Sequence, residues 1–153
     1  YVNWQQAKEY CQWAGRSLPS EAQWEKAARG PDGNTYPWGN NSPKPTLANY
    51  VNSKGDTTPV GSYPEGASPY GALDMTGNVW EWVADWYAVE YYASQISWNN
   101  PQGASTGVYR LLRGGSWSSG MDFIRSSYRY RGYPESSSSG DGFRCALSVS
   151  VSP

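Results

Sequence analysis

Two cysteines, Cys11 and Cys145, stand near opposite ends of the chain, neither in a Cys-x-x-Cys pair. The 153 residues contain no histidine, so neither thiol has the imidazole partner that a catalytic cysteine uses. Their spacing leaves two readings: small buried hydrophobes, or a disulfide closing a loop long enough to stabilise by about 4–5 kcal/mol in the chain-entropy model. The missing histidine also excludes Ser-His-Asp nucleophiles and His-ligated zinc or iron. Carboxylates gather from Asp74 to Asp85, with Glu81 among them and Asn78 just before it. Asn and Glu oxygens with neighbouring carbonyls suit a hard cation, and they suit a hydrogen-bonded turn equally well. Gly114-Gly115-Ser116 lacks the frame of a phosphate-binding loop. In Tyr128-Arg129-Tyr130-Arg131, strand spacing puts the tyrosines on one face, where they can stack on a ligand. The arginines fall on the other face, with Asp74 or Asp85 as expected partners.

Elements must hold these residues in place. Leu, Ile, Val and Phe make up only 19 residues, but 9 Trp and 13 Tyr supply a core through large aromatic areas. Length argues for a single domain over 1–153. Asn3 caps a predicted helix over 4–14, whose Trp4, Ala7, Cys11 and Ala14 form one stripe, with Gly15 as its left-handed stop. Ser20 and Gln23 form a second capping signature, followed by Trp24, Ala27 and Ala28, and Gly30 ends that helix. From Pro31 to Tyr70 the pattern reads as packed coil. Asn78–Val83, Val108–Leu112 and Phe143–Leu147 read as strands. A net charge of -1 lacks the basic footprint of a nucleic-acid binder, and no apolar run is long enough to span a membrane. The chain opens at Tyr1 without Met, so upstream residues, with any localisation signal, are expected.

Six ordered segments resemble the formylglycine-generating enzyme (sulfatase-modifying factor) family: Arg16 to Gly30, Tyr36-Pro37-Trp38-Gly39, Pro59 to Pro64, Tyr70 to Trp82, Leu112 to Trp117 and Gly142-Phe143-Arg144-Cys145. The resemblance implies an α+β variant of the C-type lectin fold, with two helices, short antiparallel strands and much irregular coil. It implies that the family's first strands, which precede the first helix, are missing from this chain. It further implies a structural disulfide between Cys11 and Cys145, and structural calcium at Asn49 and Tyr50 and at Asn78 and Glu81, with Asp56 completing the first site. No other cofactor is implied.

The family's copper enzyme holds its metal through two thiolates after the Gly-Gly-Ser. Here Ser127 stands at the second place, and no cysteine lies between Gly114 and Arg144. Hydroxyls do not replace thiolates toward Cu(I). The iron branch of the family needs histidines, which this chain lacks. A third branch, the variable proteins of diversity-generating retroelements, is similar over 113–144: Arg-Gly-Gly-Ser-Trp, a variable stretch, then Gly-Phe-Arg. Adenine-directed change of Asn codons in those systems yields chiefly Tyr, Ser, Asp, Gly, Phe and Ile. The candidate ligand-binding residues are drawn from that set: Ser118, Ser119, Gly120, Asp122, Phe123, Tyr128, Tyr130, Gly132, Tyr133, Ser136, Ser138 and Asp141. Met121 and Glu135 fall outside it and read as fixed positions; Arg125, Arg129 and Arg131 read as scaffold. Tyr, Ser and Gly are also the vocabulary of antibody binding loops. The expected function is non-enzymatic binding of a protein, with a glycan as the other ligand class. The alternatives are an oxidoreductase acting on a peptide cysteine, or a sensor domain of a larger signalling protein.

Overall fold

The structure, a computed structural model, describes residues 1–94, 99 and 101–147. Helix α1 spans Trp4–Trp13 and α2 spans Glu21–Arg29. Both helices open with a reciprocal cap, expected for Ser20 with Gln23 and found also at Asn3, the expected cap, with Gln6; each side chain bonds the other residue's backbone N–H. Gly15 and Gly30 follow them at φ +68° and +67°. At Gly30 a Cβ would lie 2.6 Å from the Pro69 ring, so close approach as well as φ requires glycine there.

Four strands form the sheet: β1 Trp80–Trp86, β2 Arg110–Arg113, β3 Tyr130–Gly132 and β4 Asp141–Phe143, in the order β3-β2-β1-β4. β2 runs antiparallel to β1 and β3, whereas β4 runs parallel to β1, so the sheet is mixed rather than antiparallel. The loop from Tyr133 to Gly140 carries the chain across to the far edge, where β4 enters in the direction of β1. The strand expected at Phe143–Leu147 therefore pairs earlier, and Ala146 makes only an isolated bridge with Ser17. The first strand likewise begins at Trp80 rather than Asn78. Beyond Trp82 its register against β2 shifts by a bulge before Trp86.

Successive residues of the central strands serve different cores. Trp82 and Leu112 pack with Trp4, Ala7, Cys11 and Leu18 of the α1 side, while Val83 and Leu111 pack with Trp24, Ala28 and Met75 of the α2 side. The sheet is thus sandwiched, which explains why β1 lacks a clean alternation of burial. The coil between α2 and β1 is packed as expected, with Ala48, Tyr50 and Tyr63 buried. Cys11 and Cys145 form a disulfide with Cα atoms 5.4 Å apart, tying α1 to the segment after β4. No helix among the described residues is long and apolar enough to cross a membrane.

Candidate ligand-binding site

The segment after β2 is fixed from below before it reaches the surface. Arg113 is fully buried, and its guanidinium donates to the carbonyls of Ser126 (2.7 Å), Ser127 (3.2 Å) and Tyr128 (2.7 Å). The same guanidinium meets Glu21 and Glu25 of α2. Arg129 forms a bidentate pair with Glu21 at 2.6 and 2.9 Å. Burial pulls Arg113 below its ordinary pKa while the two carboxylates oppose that shift. These partners correct the expected pairing with Asp74 or Asp85. Asp85 instead accepts the Glu21 N–H at 2.7 Å, at the N-terminus of α2, and Asp74 accepts the Gly61 N–H at 2.6 Å. Arg131 makes no ion pair among the described residues; its guanidinium rests over Tyr87 and Tyr109 at 5.0 and 5.2 Å.

On this anchor the tyrosines turn the other way, as strand alternation requires. Tyr130 stacks on Trp80 with ring centroids 4.8 Å apart, Tyr128 tilts against Trp80 at 6.0 Å, and Phe123 meets Tyr128 edge-on at 5.1 Å. Phe123, Tyr130 and Tyr133 are each close to half exposed. Buried Ile124 pins the short 3-10 turn Met121–Ile124 that presents Asp122 and Phe123. The Tyr133 hydroxyl bonds that of Tyr109 at 3.2 Å, and the Trp4 N–H donates to the Pro134 carbonyl, fixing the loop that follows β3.

Between these aromatics and the serine-rich loop lies an open cavity of about 490 Å3. It gathers Ser118, Tyr130, Gly132, Tyr133, Ser136, Ser138 and Asp141 of the expected residues. Ser119, Gly120, Asp122, Phe123 and Tyr128 lie outside it. Ser119 is turned inward, its hydroxyl accepting from the Ser116 N–H at 2.9 Å, and Asp122, Phe123 and Tyr128 extend the aromatic strip on the 3-10 turn side. Trp80, Trp117 and Tyr109 line the cavity and were not anticipated, because they sit in framework segments outside the Tyr-Ser-Gly-rich stretch. The alternation from Asn78 to Val83 was the available signal for Trp80. Burial raises the Asp141 pKa, and hydrogen bonds from Ser138 offset part of that rise.

The residues nominated for calcium are engaged elsewhere. Both Glu81 oxygens face the Arg144 guanidinium at 2.6 and 2.7 Å, and one also accepts the Trp24 indole N–H. Asn78 Oδ1 accepts the Thr58 N–H, and its amide donates to the Thr58 carbonyl. Asn49 donates to the Asp56 carbonyl at 2.8 Å, while Tyr50 is packed against Ala48 and Ile124. A calcium ion takes six to eight oxygens, and at Glu81 it would have to displace a guanidinium and an indole donor. The arrangement at Glu81 does not fit the ion, whereas at the first pair Asn49 Oδ1 accepts only the Ser53 hydroxyl among the described residues. Both cysteines are consumed in the disulfide, so no thiolate stands near Ser127.

The profile of the sulfatase-modifying factor enzyme 1-like domain matches residues 1–149. The serine/threonine-protein kinase pkn1 of Chlamydia caviae is 47% identical over 152 residues, covering 97% of this chain and 24% of the kinase. The formylglycine-generating enzyme of Mus musculus is 36% identical over 95% of this chain and 43% of its own. The chain thus spans less than half the length of these relatives. Among solved structures, PvdO from Pseudomonas aeruginosa superposes with a TM-score of 0.77 at 30% identity, covering 93% of this chain and 58% of PvdO. Treponema denticola variable protein 1 gives 0.67 at 30% identity, over 84% of this chain and 46% of that one. With the Major Tropism Determinant M1 variant, at 0.61 and 19% identity over 94% of this chain and 36% of that one, the likeness is of fold alone. On its motifs, its C-type lectin-like architecture and the profile that runs almost its full length, the chain belongs to the sulfatase-modifying factor family.

Proposed function

We propose that the chain is a non-enzymatic recognition module whose surface over 113–144 binds a protein. The observation that carries this reading is the contrast across Arg113. Below it lies a buried ionic anchor, and above it an aromatic strip, exposed at Phe123 and Tyr130 and half-buried at Tyr128 and Trp80, with an open cavity beside it. Rigid aromatics on a fixed scaffold give contact area at low entropic cost, as in antibody loops. The structural likeness to a variable protein supports the assignment. The expressed chain is expected to bind no stoichiometric Cu(I) and to leave a cysteine-containing sulfatase-type peptide unconverted in the presence of oxygen. Tight copper binding with turnover would overturn the proposal in favour of a formylglycine-generating oxidoreductase with a new ligand set.

A second reading is favoured by the kinase relative, which matches almost all of this chain over about a quarter of its own length. In that setting the same surface serves as the sensor of a larger signalling protein. Binding of one partner both by the isolated chain and by a longer native protein containing it, with a response in a fused domain only in the latter, is the result expected of a sensor.

A further inference from the structure

Among the described residues, the partly and fully buried carboxylates other than Asp74, which accepts the Gly61 N–H, and Asp141 are matched with positive groups or a helix end. Glu21 has Arg113 and Arg129, Glu25 has Arg29 and Arg113, Glu81 has Arg144, and Asp85 sits on the α2 N-terminus. Asp141 makes no ion pair among the described residues, although it is about as buried as the surrounding strand. Ser138 supplies its hydrogen bonds. A half-buried carboxylate without a counter-ion is costly, and it attracts whatever cation can reach it.

The register determines what lies beside it. β4 pairs with β1 in parallel with Asp141 opposite Trp80, and on the far side Trp80 stacks with Tyr130. A carboxylate and two aromatic rings therefore border the same cavity of about 490 Å3, a volume that takes a side chain or a small molecule rather than a single ion. The guanidinium in the lining, Arg131, belongs to β3 and is held over Tyr87 and Tyr109, separated from β4 by β2 and β1. Serine hydroxyls near Ser116 bond one another, while the carboxylate, the ring faces and the Trp117 indole N–H, unpaired among the described residues, are left as groups with unmet affinity. Carboxylate and π-face attract the same sign of charge.

We infer that this cavity takes a cationic side chain, a lysine ammonium or an arginine guanidinium, presented by the protein partner and held between Asp141 and the rings of Trp80 and Tyr130. The inference rests on the recognition reading and specifies what that surface selects. A neutral glycan, which would use the same rings through stacking alone, is the competing outcome.

The test is a titration of the full chain followed through its tryptophan indole N–H resonances, with a Trp80→Phe variant to assign Trp80. The probes are N-acetyl-lysine methylamide and N-acetyl-arginine methylamide, their uncharged counterparts from norleucine and citrulline, and a methyl glycoside. The cationic probes are expected to shift the Trp80 resonance and leave that of exposed Trp13 unmoved. Asp141→Asn should weaken them about tenfold, the scale of one charge-assisted contact. Tyr130→Leu, a change at an exposed position that spares the fold, should weaken them as well. Equal response to charged and neutral probes, response to the glycoside alone, an unaltered titration in Asp141→Asn, or no response into the tens of millimolar would each overturn the inference. Copper-dependent turnover would instead sink the recognition reading, whatever the probes show. A catalytically silent chain without cation preference sinks this inference alone.

Discussion

Asp85 shows how a single buried carboxylate can set the pH response of this fold. It is almost fully buried, accepts the Glu21 N–H, and has its pKa pushed up to about 6, chiefly by burial, with repulsion from Glu21 adding to the rise. The α2 amide, Arg129 and Arg110 pull the other way. Because the folded pKa lies above the unfolded one, this group's contribution to stability is fully present below the usual carboxylate range. It is lost as the pH rises through about 6. The loss amounts to about 2–4 kcal/mol at neutral pH. Asp85→Asn keeps an oxygen for the Glu21 N–H and removes the charge. Urea unfolding at a series of pH values should therefore show wild-type stability falling between about pH 4 and 7, and a flatter profile in the variant. An identical slope in both proteins would place the pH response elsewhere.

At the scale of elements, the anchor under the binding surface makes a sharper demand. Arg113 on β2 joins Glu21 and Glu25 of α2 to three consecutive carbonyls of the segment entering β3. Arg113→Met would leave Glu21 with Arg129 alone, strand those carbonyls, and cost about 3–5 kcal/mol by the usual penalty for breaking a buried pair. Arg113→Lys should recover only part of this, because a point ammonium does not reproduce the forked geometry. Thermal unfolding of both variants checks the order. The helix that carries Glu21 and Glu25 was legible in the sequence, since its Ser20–Gln23 capping box is a local pattern with a local cause. The carboxylate partners of the arginines were not, because pairing α2 with Arg113 on β2 and with Arg129 just before β3 depends on the sheet order. The direction of β4 was hidden for a similar reason: a three-residue strand has no period to read, and whether it runs with or against β1 is set by the loop after β3. Tyr130, Tyr133 and Asp141 of the cavity were visible in the biased composition of 118–141, whereas Tyr109 lies outside it. Trp80 and Trp117 lay in framework motifs whose spacing signals family rather than contact with a ligand.

Across the whole molecule, the disulfide links the first helix to the end of the described chain and closes a span of 134 residues. Loop-closure entropy for such a span predicts a loss of about 4–5 kcal/mol on reduction, within the measured range of 2–5 kcal/mol for native bridges. Urea unfolding with and without reductant should show that loss as a lower midpoint. It should not fall evenly over the molecule. β1 and β2 are held by both helical cores, whereas β4 has one neighbour in the sheet and is secured by the Arg144–Glu81 pair and by Cys145. Amide exchange in the reduced chain is therefore expected to quicken at 141–143 before it quickens at Leu111 and Leu112. Since Asp141 lies on β4, reduction should also weaken the lysine and arginine probes under conditions where near-ultraviolet circular dichroism still reports a folded core. Uniform acceleration across β1, β2 and β4 would show that the bridge supports the fold as one unit, without a separate hold on the edge that carries the carboxylate.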